Sequence, residues 1–158
     1  MKKRDLPKNS EYIKEFFTLK DIIDDSNEKL LEGRLFEDEV FDNFDFSKYE
    51  LNGCRFYNCK FLTCDFSNAS FYDSVFEKCD FSNSSFEKAY FQRCELINTK
   101  LLGVKIENGA VKNTLFKDCD LRYLTIDDCN LNIVEFKKCN LQDFNLTESK
   151  VIIDFEIV

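Results

Sequence analysis

The chain has 158 residues and a formal net charge of −8, so its length fits one domain and its charge argues against nucleic-acid binding, which usually needs a basic patch. No apolar run reaches the roughly 18 residues of a transmembrane helix, so no membrane span is predicted. The composition includes 18 Phe and eight Cys but no His, which excludes catalytic triads and metal sites that use histidine.

Residues 1–33 are predicted to form a tail followed by a helical cap. The basic start Met1–Arg4 is not followed by an apolar segment, so we predict no signal peptide. Without secretion, the eight Cys indicate reduced thiols in the cytoplasm. Residues 1–9 should form a mobile tail. Gly33 is typical of a helix end, and the apolar residues before it recur at roughly helical spacing, namely Tyr12, Ile13, Phe16, Phe17 and Ile23.

A five-residue period governs residues 34–153. Every fifth position from Phe36 to Val151 holds a large apolar residue, 24 in succession, of which 13 are Phe. This period fits neither an α-helix nor a continuous strand. Two positions earlier in each repeat the residues are mostly small, and all eight Cys lie at these positions. Each repeat is therefore predicted to contain a three-residue strand whose first and third side chains point inward.

The two remaining positions of each repeat should turn the chain. The second of them holds Asn, Asp or Gly in 14 of the 24 repeats, and these residues favour turns. If each corner turns through about a right angle, four repeats close one square coil, and the array forms about six coils. Coils about 4.8 Å apart would pair through their backbones and stack their large side chains inside. Residues 154–158 follow this array as an apolar end.

The repeats Cys64-Asp65-Phe66-Ser67-Asn68 and Cys79-Asp80-Phe81-Ser82-Asn83 resemble those of pentapeptide-repeat proteins. In that family a small residue and a polar residue precede Leu or Phe, and two polar residues follow. The resemblance implies an all-β solenoid, a right-handed quadrilateral β-helix. It also implies two possible properties: some members bind type II topoisomerases such as gyrase as DNA mimics and protect cells from quinolones, and several form homodimers through the terminal segment.

The cysteines allow two interpretations. Cys54, Cys59 and Cys64 could bind a metal, but five-residue spacing places them on three different sides of one coil, whereas metal ligands must converge. Small thiols packed between neighbouring coils are the preferred interpretation, so we predict no metal and no cofactor. Acidic side chains point outward into water and no Gly-rich phosphate loop occurs, so we predict no enzymatic activity.

One outer side of the square is acidic and is a candidate interaction face. Duplex DNA carries about one charge per 1.7 Å, a higher density than this side, so a solvated face is the preferred interpretation and a topoisomerase-binding DNA mimic is the alternative. The acidic residues of this side are Asp45, Asp65, Glu87, Glu107, Asp127, Asp128 and Glu148.

Apolar residues on another outer side are a candidate surface for a protein partner. A contiguous apolar patch can mark a contact surface, so we predict a non-enzymatic scaffold or protein-binding module whose partner the sequence does not identify. The residues are Tyr57, Val75, Ile97 and Leu115, with Leu62 and Leu102 near the adjoining corner.

The segment Val151–Val158 is apolar apart from Asp154 and Glu156. An open coil end would expose Leu141, Leu146 and unpaired backbone groups, which invite pairing with another chain. We therefore predict a homodimer through this end, since two-fold dimers are the commonest homo-oligomers. In the alternative, the segment covers its own core and the protein is a monomer.

Overall fold

The computed structural model describes residues 3–8, 15–24 and 28–156. Over these residues the chain forms one short helix and nineteen strands, most of them three residues long. They are β1 (Glu15–Phe16), α1 (Leu19–Asp24), β2 (Leu30–Glu32), β3 (Arg34–Glu37), β4 (Val40–Asp42), β5 (Glu50–Asn52), β6 (Arg55–Tyr57), β7 (Lys60–Leu62), β8 (Ser70–Tyr72), β9 (Val75–Glu77), β10 (Ser85–Glu87), β11 (Tyr90–Gln92), β12 (Glu95–Ile97), β13 (Lys105–Glu107), β14 (Ala110–Lys112), β15 (Leu115–Lys117), β16 (Thr125–Asp127), β17 (Asn130–Lys137), β18 (Asn145–Thr147) and β19 (Lys150–Glu156).

The strands stack in parallel with a repeat of 20 residues. Phe36 pairs with Phe56, Phe71 with Phe91 and Ile106 with Ile126, so that each coil contains four pentapeptides. The predicted all-β solenoid of about six coils is confirmed. Within the described residues, no helix is long and apolar enough to cross a membrane.

Each coil has four sides, which we number by their order in the chain. The first side contains β3, β6, β9, β12, β15 and the end of β17, and the fourth contains β2, β5, β8, β11, β14 and the beginning of β17. The third side contains β10, β13, β16 and β18. The second side has the strand pair β4–β7 and continues as isolated bridges from Lys60 to Asn140.

The corners between sides share one backbone conformation. Every fifth residue from Asp38 to Glu148 has a φ between 46° and 66°, in the left-handed region that Asn, Asp and Gly tolerate best. The predicted turn positions are therefore confirmed. Gly33 also has a φ of 59° and donates its N–H to the carbonyl of Asn52 at 2.9 Å, so it forms a corner, and the prediction that it ends a helix is wrong.

The first coil is covered by a two-residue strand and a six-residue helix. Strand β1 pairs with β3, and the ring of Phe17 packs edge-on against Phe36 with 5.8 Å between centroids. Ile22 of α1 is buried. The helical spacing predicted for this region fails at Phe16, which lies in β1, while Tyr12 and Ile13 lie outside the described residues.

Both ends of the array extend past the most regular repeats. Strand β2 pairs with β5, and Leu31 takes the register of Leu51, so the ladder already exists ahead of residue 34. Strand β19 pairs in parallel with β17, but Ile133 of β17 has no counterpart in β19, because Asn132 pairs with Ile152 and Val134 pairs with Ile153. Because of this one-residue shift, Phe155 takes the register of Phe136.

The core consists of columns of stacked Phe rings. Centroids lie 4.5 Å apart for Phe61 and Phe81 and 4.8 Å apart for Phe66 and Phe86, with interplanar angles of 2° and 6°. Rings of adjacent sides also meet edge-on, as Phe81 meets Phe86 at 5.7 Å. Twelve Phe side chains are almost completely buried, so the stability of each coil depends on the coils that flank it.

Replacement of one ring in the middle of the stack should therefore be costly. Phe81→Ala is expected to lower the free energy of unfolding by about 3–5 kcal/mol, because flanking coils held by their ladders cannot close the cavity. Denaturant unfolding measures this. Phe16→Ala is the matched control because Phe16 is 67% exposed, and it should cost less than about 1 kcal/mol. Equal losses in the two variants would contradict the stacked core.

Candidate functional site

The small inward positions bind backbone groups as well as fill space. The thiol of Cys54 donates to the carbonyl of Leu31 at 3.2 Å, and that of Cys119 donates to Leu96 at 3.2 Å. The hydroxyl of Ser84 donates to Phe61 at 3.0 Å and accepts the N–H of Cys64 at 3.1 Å. Sequence analysis predicted only packing here. The signal it missed is that Ser and Thr share these positions with Cys.

Burial makes these thiols weak acids. It raises the pKa of Cys54 to about 11, that of Cys64 to about 11 and that of Cys94 to about 12. All eight cysteines are free, and seven are buried. In the described part of the chain, no group of three or more His, Cys, Asp or Glu side chains is placed to hold a metal ion. Cys54, Cys64 and Cys94 therefore act as hydrogen-bond donors to the backbone rather than as reactive nucleophiles.

The predicted acidic face lies on the third side, where the ladder aligns three of its members. Glu87 pairs with Glu107, and Glu107 pairs with Asp127, which places three carboxylates on successive coils. Thr147 continues this column and donates its hydroxyl to Asp127 at 2.5 Å. We call Glu87, Glu107 and Asp127 the acidic column.

The other acidic residues lie beside this column. Asp45 and Asp65 are bridged to each other in the neighbouring column, and Ser47 hydrogen bonds lower the pKa of Asp45. Asp128 and Glu148 occupy successive corners and line a shallow depression of about 240 Å³. Lys88 forms an ion pair with Glu87 of the acidic column at 3.9 Å, and exposed pairs of this kind are weak.

The predicted apolar surface is divided between two columns of the first side. Tyr57 and Ile97 alternate with Glu77 in one column and are half-buried. Val75 and Leu115 flank Glu95 in the other column. Leu62 is exposed, and Leu102 is half-buried, on the second side.

The sequence suggested that Val75 and Leu115 are exposed, but the structure shows that both are buried. Their exposed fractions are 9% and 8%, although their side chains point away from the core. The buried guanidinium of Arg4 bonds Glu95 at 3.1 Å, next to Leu115 in the same column. Residues 3–8 thus lie on the solenoid, where sequence analysis predicted a mobile tail.

A groove of about 450 Å³ opens beside this segment, at the corner between the fourth and first sides. Arg93 crosses it and forms two hydrogen bonds with Asp73, at 2.6 and 2.9 Å. Burial of Asp73 opposes its ionisation, but hydrogen bonds from Arg93 and from the backbone of Lys8 lower its pKa overall. Asp73 is therefore a charged acceptor at this corner.

Comparison with known families gives two sequence matches. A profile described as a pentapeptide repeat region matches residues 69–146, and one described as pentapeptide repeats (8 copies) matches residues 50–87. Comparison with the sequences of curated proteins gives no match.

Comparison with solved structures finds other pentapeptide repeat proteins. The chain is similar to a pentapeptide repeat protein from the thylakoid lumen of Arabidopsis thaliana, with 20% identity and a TM-score of 0.58 over 63% of this chain and 70% of that one. It also matches QnrB1, a plasmid-mediated fluoroquinolone resistance protein, with 21% identity and a TM-score of 0.45 over 77% and 81%. For Rfr23, a pentapeptide repeat protein from the cyanobacterium Cyanothece 51142, the identity is 15% and the TM-score 0.40, over 84% of this chain and 94% of that one.

The raised thiol pKa values predict a loss of stability at alkaline pH. An unfolded thiol ionises near pH 8.5, whereas buried Cys54 and Cys94 stay protonated to about pH 11 and 12. Unfolding therefore releases protons above about pH 8.5, and stability falls by roughly 1.4 kcal/mol per pH unit for each thiol until the folded pKa is reached. Urea unfolding at pH 7.5 and 9.5 measures the difference.

The matched control replaces both thiols with hydroxyls that do not titrate in this range. Cys54→Ser/Cys94→Ser keeps the donors, as Ser74 and Ser84 do at equivalent positions. The decrease between the two pH values should be smaller in this variant by roughly 2–3 kcal/mol. Identical decreases in the variant and the natural protein would contradict buried, protonated thiols.

Proposed function

Because the chain belongs to the pentapeptide-repeat family, with matches that together span residues 50–146, we propose that it is a non-enzymatic scaffold that binds a protein partner through its outer faces. The inward side chains are used by the core, so a partner meets the outward columns. The eight free thiols support a cytoplasmic location, where thiols stay reduced.

The acidic column is the observation that carries this proposal. Like charges directly opposite each other on neighbouring strands destabilise a sheet, yet Glu87, Glu107 and Asp127 occupy three successive rungs. Folding gains nothing from this arrangement, whereas a partner with basic side chains would be attracted to it. The ladder holds the backbones that carry these three residues at fixed spacing, so a partner binds without any backbone having to be ordered.

A DNA mimic that binds a type II topoisomerase is the second candidate, and the same column favours it. Successive rungs are about 4.8 Å apart, whereas duplex DNA carries a charge about every 1.7 Å. The charge density of the acidic column is therefore lower than that of DNA, which makes the mimic the second candidate. A supercoiling assay with purified gyrase separates the two candidates. Unchanged supercoiling supports a different protein partner, and inhibition would favour the mimic.

We also propose self-association through the C-terminal coil. Val151 and Ile152 are 46% and 60% exposed, and Leu141 and Leu146, on other sides of the same last coil, are only half-buried. Apolar contact between two such coils would remove this surface from water. Strand β19 already pairs with β17 along one side, so the contact would be made by the coil end and not by β17.

A photo-crosslinking residue in place of Glu107 should capture a discrete protein partner in the native cell. The same residue in place of Glu37, an exposed acid on the first side, is the matched control. The adduct should form only at Glu107 and should be lost when Glu87→Lys and Asp127→Lys reverse the neighbouring charges. The same adducts at both positions would contradict a specific acidic face, as would the absence of any adduct.

Light scattering at tens of micromolar should give the mass of a dimer. Val151→Lys should produce a monomer, because burying an unpaired ammonium at the coil end is costly. Leu62→Lys, which places the same charge on an exposed residue of the second side, should leave the dimer intact. A monomer in the unmodified protein would rule out the C-terminal contact.

A further inference from the structure

Residues 3–8 lie across the corner between the fourth and first sides in an extended conformation. The N–H of Asp5 donates to the side chain of Asn113 at 3.2 Å, and the N–H of Lys8 donates to Asp73 at 3.0 Å. Asn113 and Asp73 are corner residues two coils apart. Three extended residues span about 10 Å, which matches two coil spacings of about 4.8 Å. The corner therefore binds the backbone of an extended segment.

An acidic slot lies next to these two acceptors. Arg4 approaches Glu95 at 3.1 Å and Glu135 at 3.6 Å, and its side chain is only 6% exposed. Leu115 lies between the two glutamates in the ladder, so a guanidinium that reaches both carboxylates covers Leu115. This placement explains why an outward-facing Leu is buried.

The chain's own segment fills this site imperfectly. The buried Nε of Arg4 makes no hydrogen bond and lies 3.6 Å from the carboxylate of Glu135, which is shared with Lys137 at 3.1 Å. A buried donor left unsatisfied is unfavourable, and an arginine can form paired hydrogen bonds with a carboxylate. Leu6 is 59% exposed and adds little apolar burial. A better-fitting segment could therefore displace residues 3–8.

We propose that Asp73, Asn113, Glu95 and Glu135 form a binding site for an extended, arginine-bearing segment of a partner protein, and that residues 3–8 mask it. Asn113 and Asp73 accept backbone N–H groups three residues apart, and the two glutamates select the arginine one residue before the first of these. This inference rests on the proposed function in naming a second protein-binding surface. The site contains no residue of the acidic column, so a negative result for one of the two surfaces does not contradict the proposal for the other.

The factor by which residues 3–8 weaken the binding of a competing segment can be predicted. A tethered segment competes at an effective concentration of about 1 mM. If the tethered residues 3–8 bind the open site with an intrinsic Kd of about 100 μM, a competing segment is weakened roughly tenfold in the unmodified chain. Displacement by a stronger partner needs no rearrangement of the solenoid, since the acceptors belong to its fixed corners and ladder.

The test uses the full chain and a fluorescently labelled synthetic peptide with the sequence of residues 1–8. Arg4→Glu should release the masking segment, because it places a third carboxylate beside Glu95 and Glu135. Fluorescence anisotropy should show peptide binding about tenfold tighter to Arg4→Glu than to the unmodified chain. Lys3→Glu makes the same charge change at an exposed residue and should bind like the unmodified chain.

A third variant locates the binding. Adding Glu95→Gln and Glu135→Gln to Arg4→Glu should abolish peptide binding, with unchanged thermal unfolding as evidence of an intact solenoid. Equal peptide affinity for the unmodified chain, Lys3→Glu and Arg4→Glu would overturn the proposal, and so would binding that survives loss of both glutamates. A dimer that dissociates on Arg4→Glu would also overturn it, because the segment would then serve a second copy.

Hydrogen exchange on the unmodified chain gives an independent result. The amides of Asp5 and Lys8 are hydrogen-bonded to the corner and should exchange slowly. Excess unlabelled peptide should speed their exchange by displacing the segment. Unchanged exchange at saturating peptide would contradict a shared site.

Discussion

The left-handed corner is the constraint on which the rest of the structure depends. The chain turns at every fifth residue with nearly the same φ. Each three-residue strand presents one inward and two outward side chains, as in Ser85–Glu87, whereas the sequence predicted strands that begin one residue earlier, with two inward side chains. Four such turns close a coil, and the backbone N–H of a corner residue pairs with the next coil, as Asn58 pairs with Glu77 at 2.9 Å. Stacking then propagates along the whole array.

A 20-residue register makes every position recur on the neighbouring coil. Inside, this repetition stacks Phe on Phe and directs small hydroxyls and thiols, such as those of Ser84 and Cys54, to carbonyls of the preceding coil. Outside, it aligns side chains in straight columns, which is how Glu87, Glu107 and Asp127 come together. The 20-residue register that builds the core therefore also sets the spacing of the acidic column and of Glu95, Leu115 and Glu135.

Periodicity predicted what repeats and missed what does not. The core positions, the turn positions and the side on which each acidic or apolar residue lies all followed from counting in fives. The pairing of β1 with β3 and the docking of Arg4 on Glu95 did not, because each is a single long-range contact with no periodic signal. Arg4 also overturned the exposure expected for Leu115, since a segment outside the array covers it.

The corner conformation is tested most directly at Ile133, a β-branched residue with a φ of 58°. The left-handed region costs an ordinary residue roughly 1–2 kcal/mol, and Asn tolerates it better. Denaturant unfolding of Ile133→Asn should therefore show a gain of about 1 kcal/mol, and Asn98→Ile, at a corner with a φ of 48°, should show a comparable loss. Destabilisation by Ile133→Asn together with a neutral Asn98→Ile would contradict the account.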